Sequence, residues 1–135
     1  MYGNPVLWES KVTTMVCLST AEAEYFAAVH AAKSSLWLAH LISELTSSPV
    51  PAVTLYEDNA ACIRMATNPV VTARNRHFST RMWWLREQVT VKKIVFVQVP
   101  TKFQLADILT KIFPRPTFLF LRDLIFAQKS LYYKP

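Results

Sequence analysis

The sequence predicts an α/β fold, and three observations point there. Apolar residues recur at helical spacing over residues 21–45, and short β-rich runs follow at 53–56 and 94–99. An acid, Asp58, stands where the first of those runs meets a helical segment, the kind of junction at which α/β sheets put their sites. The chain has 135 residues, 52% of them hydrophobic and 18% charged, which fits one domain or a piece of one with ample apolar surface for a core.

Each element has a local reason. Residues 6–8 and 12–18 read as two strands around a polar turn at 9–11, a hairpin pattern. Ser19-Thr20-Ala21-Glu22 is a capping-box pattern, in which a hydroxyl and a carboxylate three residues apart satisfy each other's orphan amides, so a helix starts there. It runs to about residue 45 as one helix, or as two with a bend at Ser34-Ser35, and Pro49 and Pro51 stop it. Asp58-Asn59 opens a short helix over 60–66, which Asn68-Pro69 ends. A third helix is expected over 75–89 and a strand over 94–99. Thr101-Lys102-Phe103-Gln104 is a second capping-box pattern and predicts a helix through Ile108 toward Lys111. Thr117 then caps a last helix to about Gln128, so the domain covers 1–128 and residues 129–135 form a tail.

Composition narrows the function. Gly3 is the single glycine, where average usage would give about nine, so no phosphate-cradling glycine loop or dinucleotide fingerprint can be written. Fifteen Lys and Arg against nine Asp and Glu give a net charge of +6, which suits a polyanionic partner. Cys17 and Cys62 lie in apolar surroundings without zinc-site spacing and read as buried thiols of a reducing compartment. The N-terminus lacks the pattern of a signal peptide, and the longest apolar stretch, 117–127, is interrupted by Arg122 and Asp123. A cytoplasmic or nuclear protein that is not secreted and meets no membrane is expected.

Three acids stand out by placement: Glu24 one turn into the long helix, Asp58 at the end of a strand, and Asp107 in the first turn of a late helix. Acids on converging element ends are the raw material of a two-metal site, in which carboxylates hold paired ions about 3.5–4 Å apart for attack on a phosphodiester. Spacing alone leaves the plainer roles open, with Glu24 a solvated helix acid, Asp58 an N-cap and Asp107 a dipole partner. Glu22 is explained by its cap, and Glu44, Glu57, Glu87 and Asp123 by solvated faces.

A resemblance adds to this reading. Leu18-Ser19-Thr20-Ala21-Glu22-Ala23-Glu24-Tyr25, followed by Ala31-Ala32-Lys33 and Leu36-Trp37-Leu38, resembles the L-S-(S/T)-x-E-A-E-Y…A-K-x-x-x-W-L segment of the ribonuclease H domain in copia-type LTR retrotransposon Pol polyproteins. Tyr56-Glu57-Asp58-Asn59 is similar to that family's Y-x-D-N, and Asn68-Pro69-Val70 with Arg74-Asn75-Arg76-His77 to its N-P…R-x-K-H. Pro100-Thr101 with Gln104-Leu105-Ala106-Asp107-Ile108-Leu109-Thr110-Lys111 is similar to its V-P-T-x-x-Q-L-A-D-x-x-T-K. The matches keep the family's order over about residues 3–126.

The resemblance implies a ribonuclease H-like mixed sheet of five strands flanked by helices, and an endonuclease that cuts the RNA strand of an RNA–DNA hybrid with two Mg²⁺ or Mn²⁺ ions. The family's site uses four acids in the order Asp, Glu, Asp, Asp. By motif position Glu24, Asp58 and Asp107 are the second, third and fourth, each a catalytic metal ligand. The first belongs to a D-x-D-W-A-like strand upstream of the stretch matching residues 3–11, so the chain is expected to begin past it. That strand is the central one of the fold. Its loss implies weak or absent cleavage and strands left with open edges; the partners that the resemblance implies are an RNA–DNA hybrid or other nucleic acid and, in the intact polyprotein, the upstream reverse transcriptase segment. The alternative is a non-catalytic remnant that binds nucleic acid or another protein.

Residues 64–93 hold Arg64, Arg74, Arg76, Arg81, Arg86, Lys92 and Lys93 against the single acid Glu87, which is either a phosphate-binding segment or a solvated face. The resemblance implies Asn59, Arg74, Arg76 and His77 as nucleic-acid-binding residues. His77 also suits a helix-start cap, and the chain reads Phe78-Ser79 where the family has an Ile-Asp pair. Trp83 and Trp84 can stack on bases, but their spacing with Leu85 and Val89 puts at least one in the core. Trp37, Phe96, Phe118 and Phe120 take the same core reading.

Overall fold

Ser19 opens the first helix as its sequence predicts. The structure, a computed structural model, describes residues 5–12, 16–68 and 80–126, with the backbone alone at Thr80 and Arg81. It divides the chain into two compact units, Thr13–Val99 and Met1–Val12 with Pro100–Pro135.

In the larger unit α1 spans Thr20–Thr46 as one continuous helix, without a break at Ser34-Ser35. The Ser19 hydroxyl accepts from the Glu22 amide at 3.2 Å, while the Glu22 carboxylate accepts from the Leu18 amide at 2.7 Å. That is a capping box displaced by one residue, which still satisfies two orphan donors. Ser47 leaves the helix in the left-handed region (φ 51°), and Pro49 and Pro51 follow. Strand β1 (Val53–Glu57) leads through Asp58 and the N-cap Asn59 into α2 (Ala60–Thr67). Helix α3 (Thr80–Thr90) and strand β2 (Ile94–Gln98) complete the unit, and residues 75–79 of the expected third helix lie outside the described residues.

β1 and β2 pair in parallel, Val53 opposite Ile94 and Leu55 opposite Phe96, with a Val53 amide to Lys93 carbonyl bond at one end and a Val99 amide to Glu57 carbonyl bond at the other. Parallel strands require a crossover, which α2 and α3 supply. Lys92, at φ 57°, makes the return possible. The Lys93 amide bonds the Gln88 carbonyl and the Lys92 amide the Val89 carbonyl, a Schellman closure of α3 built without glycine. The core gathers Tyr25, Val29 and Ala32 of α1, Cys62 and Ala66 of α2, Met82 and Leu85 of α3, and Ile94 of β2. A polar tie runs through it. The buried Tyr25 hydroxyl donates to the Met82 carbonyl at 2.9 Å, and Arg86 Nε donates to the Met65 carbonyl at 2.8 Å. Burial pushes the Tyr25 pKa up to about 12 against the pull of the Arg86 guanidinium.

The smaller unit is built differently. Residues 101–109 form two 3-10 turns, Thr101–Phe103 and Leu105–Leu109, and no side chain caps either, so the second capping-box pattern does not open an α-helix. Each turn is too short to bury an apolar stripe that would extend it. Helix α4 (Arg115–Ile125) begins after Pro114 with Pro116 in its first turn, two residues before the predicted Thr117 cap. Its Leu121 is buried, and Phe120 lies 6.2 Å from the Phe103 ring.

The architecture is mixed α/β and consistent with a truncated ribonuclease H-like fold, although two strands, not five, form among the described residues. The predicted hairpin is one of the differences. Residues 5–12 and 16–18 are irregular, with Val6, Trp8, Val12 and Val16 exposed, because an alternating pattern becomes a strand only when a neighbour takes its main-chain bonds. Trp37, at 61% exposure, and Phe118 are exposed where the core was expected, whereas Phe96 and Trp84 pack against the core. Cys62 is fully buried and Cys17 partly so. Among the described residues no helix is long and apolar enough to cross a membrane.

Candidate functional site

Alternation along β1 turns Val53, Leu55 and Glu57 toward the core and Thr54 and Tyr56 outward. Glu57 is therefore not on a solvated face: it is 6% exposed. Its Oε1 accepts from the Asn59 amide at 2.9 Å. Burial pushes the Glu57 pKa up to about 7, and the negative charges of Glu24 and Asp58 push the same way, against the Asn59 amide and the Cys62 thiol. The Cys62 thiol is itself pushed well up, first by burial and then by the charges of Glu57 and Glu24.

These couplings locate two of the three candidate acids. Glu24, from the first turns of α1, and Asp58, from the end of β1, both act on the Glu57 carboxyl and the Cys62 thiol, and both are half-buried. Asp107 belongs to the smaller unit, in the Leu105–Leu109 turn, where its Oδ2 accepts from Lys111 Nζ at 2.8 Å. Asn59 commits its Oδ1 to capping α2, accepting from the Ala61 and Cys62 amides at 3.0 and 3.2 Å. Arg74, Arg76 and His77 lie outside the described residues. Of the basic segment, Arg86 is buried at 7% exposure and stacks on Trp83, so it serves the core and not a phosphate.

Among the described residues no three His, Cys, Asp or Glu side chains gather as a set able to hold a metal ion. Two paired ions need more carboxylates than Glu24 and Asp58 supply, so these residues by themselves do not fit a two-metal centre. Cys62 is buried, as its apolar surroundings predict, but Glu57 escaped the sequence reading because an acid beside Asp58-Asn59 looks solvated. The signal that reveals it is the period of two, which carries Val53 and Leu55 on to residue 57.

The comparisons with known proteins point one way. The chain is 34% identical over 123 residues to a retrovirus-related Pol polyprotein from transposon TNT 1-94 of Nicotiana tabacum, covering 91% of this chain and 9% of that protein. It is 32% identical over 115 residues to the Pol polyprotein from transposon RE1 of Arabidopsis thaliana, covering 85% and 8%. It is 29% identical over 121 residues to the transposon Ty1-DR5 Gag-Pol polyprotein of Saccharomyces cerevisiae, covering 90% and 7%. No family model and no solved structure matches the chain. It spans less than a tenth of the length of these relatives, and its homologues are retrotransposon Pol polyproteins.

Proposed function

We propose that the chain is a portion of the ribonuclease H domain of a copia-type Pol polyprotein, a hydrolase of the RNA strand in RNA–DNA hybrids, with little or no cleavage by the chain alone. The observation that carries this reading is that Glu24 and Asp58, far apart in sequence and each at its motif position, act on one buried carboxyl. Asp107 is the third acid of the set by motif position, and Asn59, Arg74, Arg76 and His77 are the nucleic-acid contacts. Mg²⁺ or Mn²⁺ would require an acid from an upstream D-x-D-W-A-like strand in addition to these. The same strand would lie along the edge of β1, where the intact polyprotein continues toward its reverse transcriptase.

The test is a gel of labelled RNA–DNA hybrid with Mg²⁺, run with the chain alone and with a supplied peptide carrying the upstream strand. Little or no cleavage is expected alone, and cleavage on complementation that disappears in Asp58→Asn. Cleavage surviving Asp58→Asn overturns the ligand assignment. The second reading, a non-catalytic nucleic-acid-binding remnant, is favoured by the lack of a metal-holding set among the described residues. Salt-dependent hybrid binding without cleavage under either condition would select it.

A further inference from the structure

The main chain leaves the sheet at Glu57 and enters α2 at Asn59, and Asp58 sits in the gap. The last ladder bond runs from the Val99 amide to the Glu57 carbonyl, and the first helical bond from the Ile63 amide to the Asn59 carbonyl. Neither of those bonds involves residue 58. Two side-chain-to-backbone bonds bridge the gap instead. Glu57 Oε1 accepts from the Asn59 amide at 2.9 Å, and Asn59 Oδ1 accepts from the Cys62 amide at 3.2 Å. Glu57 is the one buried carboxylate among the described residues, and Cys62 is fully buried, so both bonds are shielded from competing water.

We propose that Glu57 is a positioning residue, which together with Asn59 locks the backbone at residue 58 and fixes the direction in which the Asp58 carboxylate leaves the sheet. The inference rests on the reading of Asp58 as a member of the acid set. Its logic is geometric. A glutamate side chain at the last strand position is long enough to reach forward two residues, whereas most carboxylates that bond a helix start do so from the cap itself. Asn59 then caps the helix while its own amide is held from the strand side, so the residue between them is anchored at both ends.

Gln keeps the same reach and an acceptor oxygen, so it separates positioning from charge. The test measures, by NMR on the whole 135-residue chain, the side-chain torsion couplings of Asp58 and the hydrogen exchange of the Asn59 amide. In the parent chain and in Glu57→Gln, Asp58 is expected to hold one rotamer. In Glu57→Ala its couplings average and the Asn59 amide exchanges faster by roughly tenfold. Glu57→Met, which keeps the buried bulk but offers no acceptor oxygen, should behave as Glu57→Ala and decides the matter if Glu57→Ala fails to fold. Unchanged couplings and exchange in Glu57→Met, or in a folded Glu57→Ala, overturn the proposal. In the complemented cleavage assay Glu57→Ala should lose rate that Glu57→Gln restores. If the parent shows no cleavage there, the nuclease reading falls while the NMR readout still judges the positioning role.

Discussion

Asp58 and Asp107 are the same residue type, singled out by the same kind of motif, yet the two regions hold them by different means. At Asp58 the neighbours are tied by a buried glutamate and a helix cap, and α2 beneath it is packed into the core. At Asp107 the support is a short 3-10 turn without a side-chain cap, and the carboxylate is engaged by Lys111 four residues on, whose side chain is about half exposed. The Asp107 side chain is 13% exposed, but a pair open to water at its Lys111 end contributes roughly 0–1 kcal/mol, because solvent screens that end and two side chains must be ordered to form it. A motif names the residue, and burial of its surroundings decides how firmly it is held.

The comparison can be broken most forcefully at the core. Leu85→Ala removes a fully buried side chain and should cost about 2–5 kcal/mol, read as a fall in denaturation midpoint, whereas Ile112→Ala, fully exposed in the Asp107 region, should stay within about 0.5 kcal/mol. If the two variants melt alike, the difference in support between the regions is not real.

The pH dependence sharpens it next. Glu57 has an ordinary value of 4.5 and a folded value near 7, so the folded chain binds more protons than the unfolded one between those limits. Its contribution to stability is full below about pH 4.5 and is lost as the pH rises through 7. Midpoints measured across that window should decline for the parent and decline less for Glu57→Gln. Equal slopes would mean that Glu57 is not buried as an acid.

A smaller effect is expected at the cap. Asn59→Ala exposes the first amides of α2 and should cost about 0.5–2 kcal/mol by chemical denaturation. Lys111→Ala, which breaks the Asp107 pair, should cost less than about 1 kcal/mol and lose most of that in high salt. The smallest change is a gain. Lys92 holds a left-handed conformation that glycine adopts freely, so Lys92→Gly should raise stability by about 0.5–1 kcal/mol in a thermal melt.

Much of the larger unit was legible in the chain. The helix at Ser19, the strand ending at Asp58, the short helix behind Asn59 and the strand before Val99 are all written in hydroxyl caps, prolines and periodicity, and all four form. The 101–111 segment carries a cap pattern as good as the first, yet gives 3-10 turns, because a cap lowers the cost of starting a helix without supplying the packing that lengthens it. At the site, Glu24 and Asp58 were readable from motif order. The burial of Glu57 was not, since it depends on which face of β1 is covered.

By itself, then, the amino-acid order determined the features that rest on bonds between near neighbours: where helices start, where prolines stop them, and which acids occupy motif positions. Only the tertiary structure decided that β1 pairs in parallel with a strand some forty residues away. It also decided that Glu57 points inward while Trp37 stays in water, and that Glu24 and Asp58 act on one buried carboxyl. The reason is physical: a cap or a turn is satisfied within four residues, whereas burial and its electrostatic consequences depend on what distant chain packs on top.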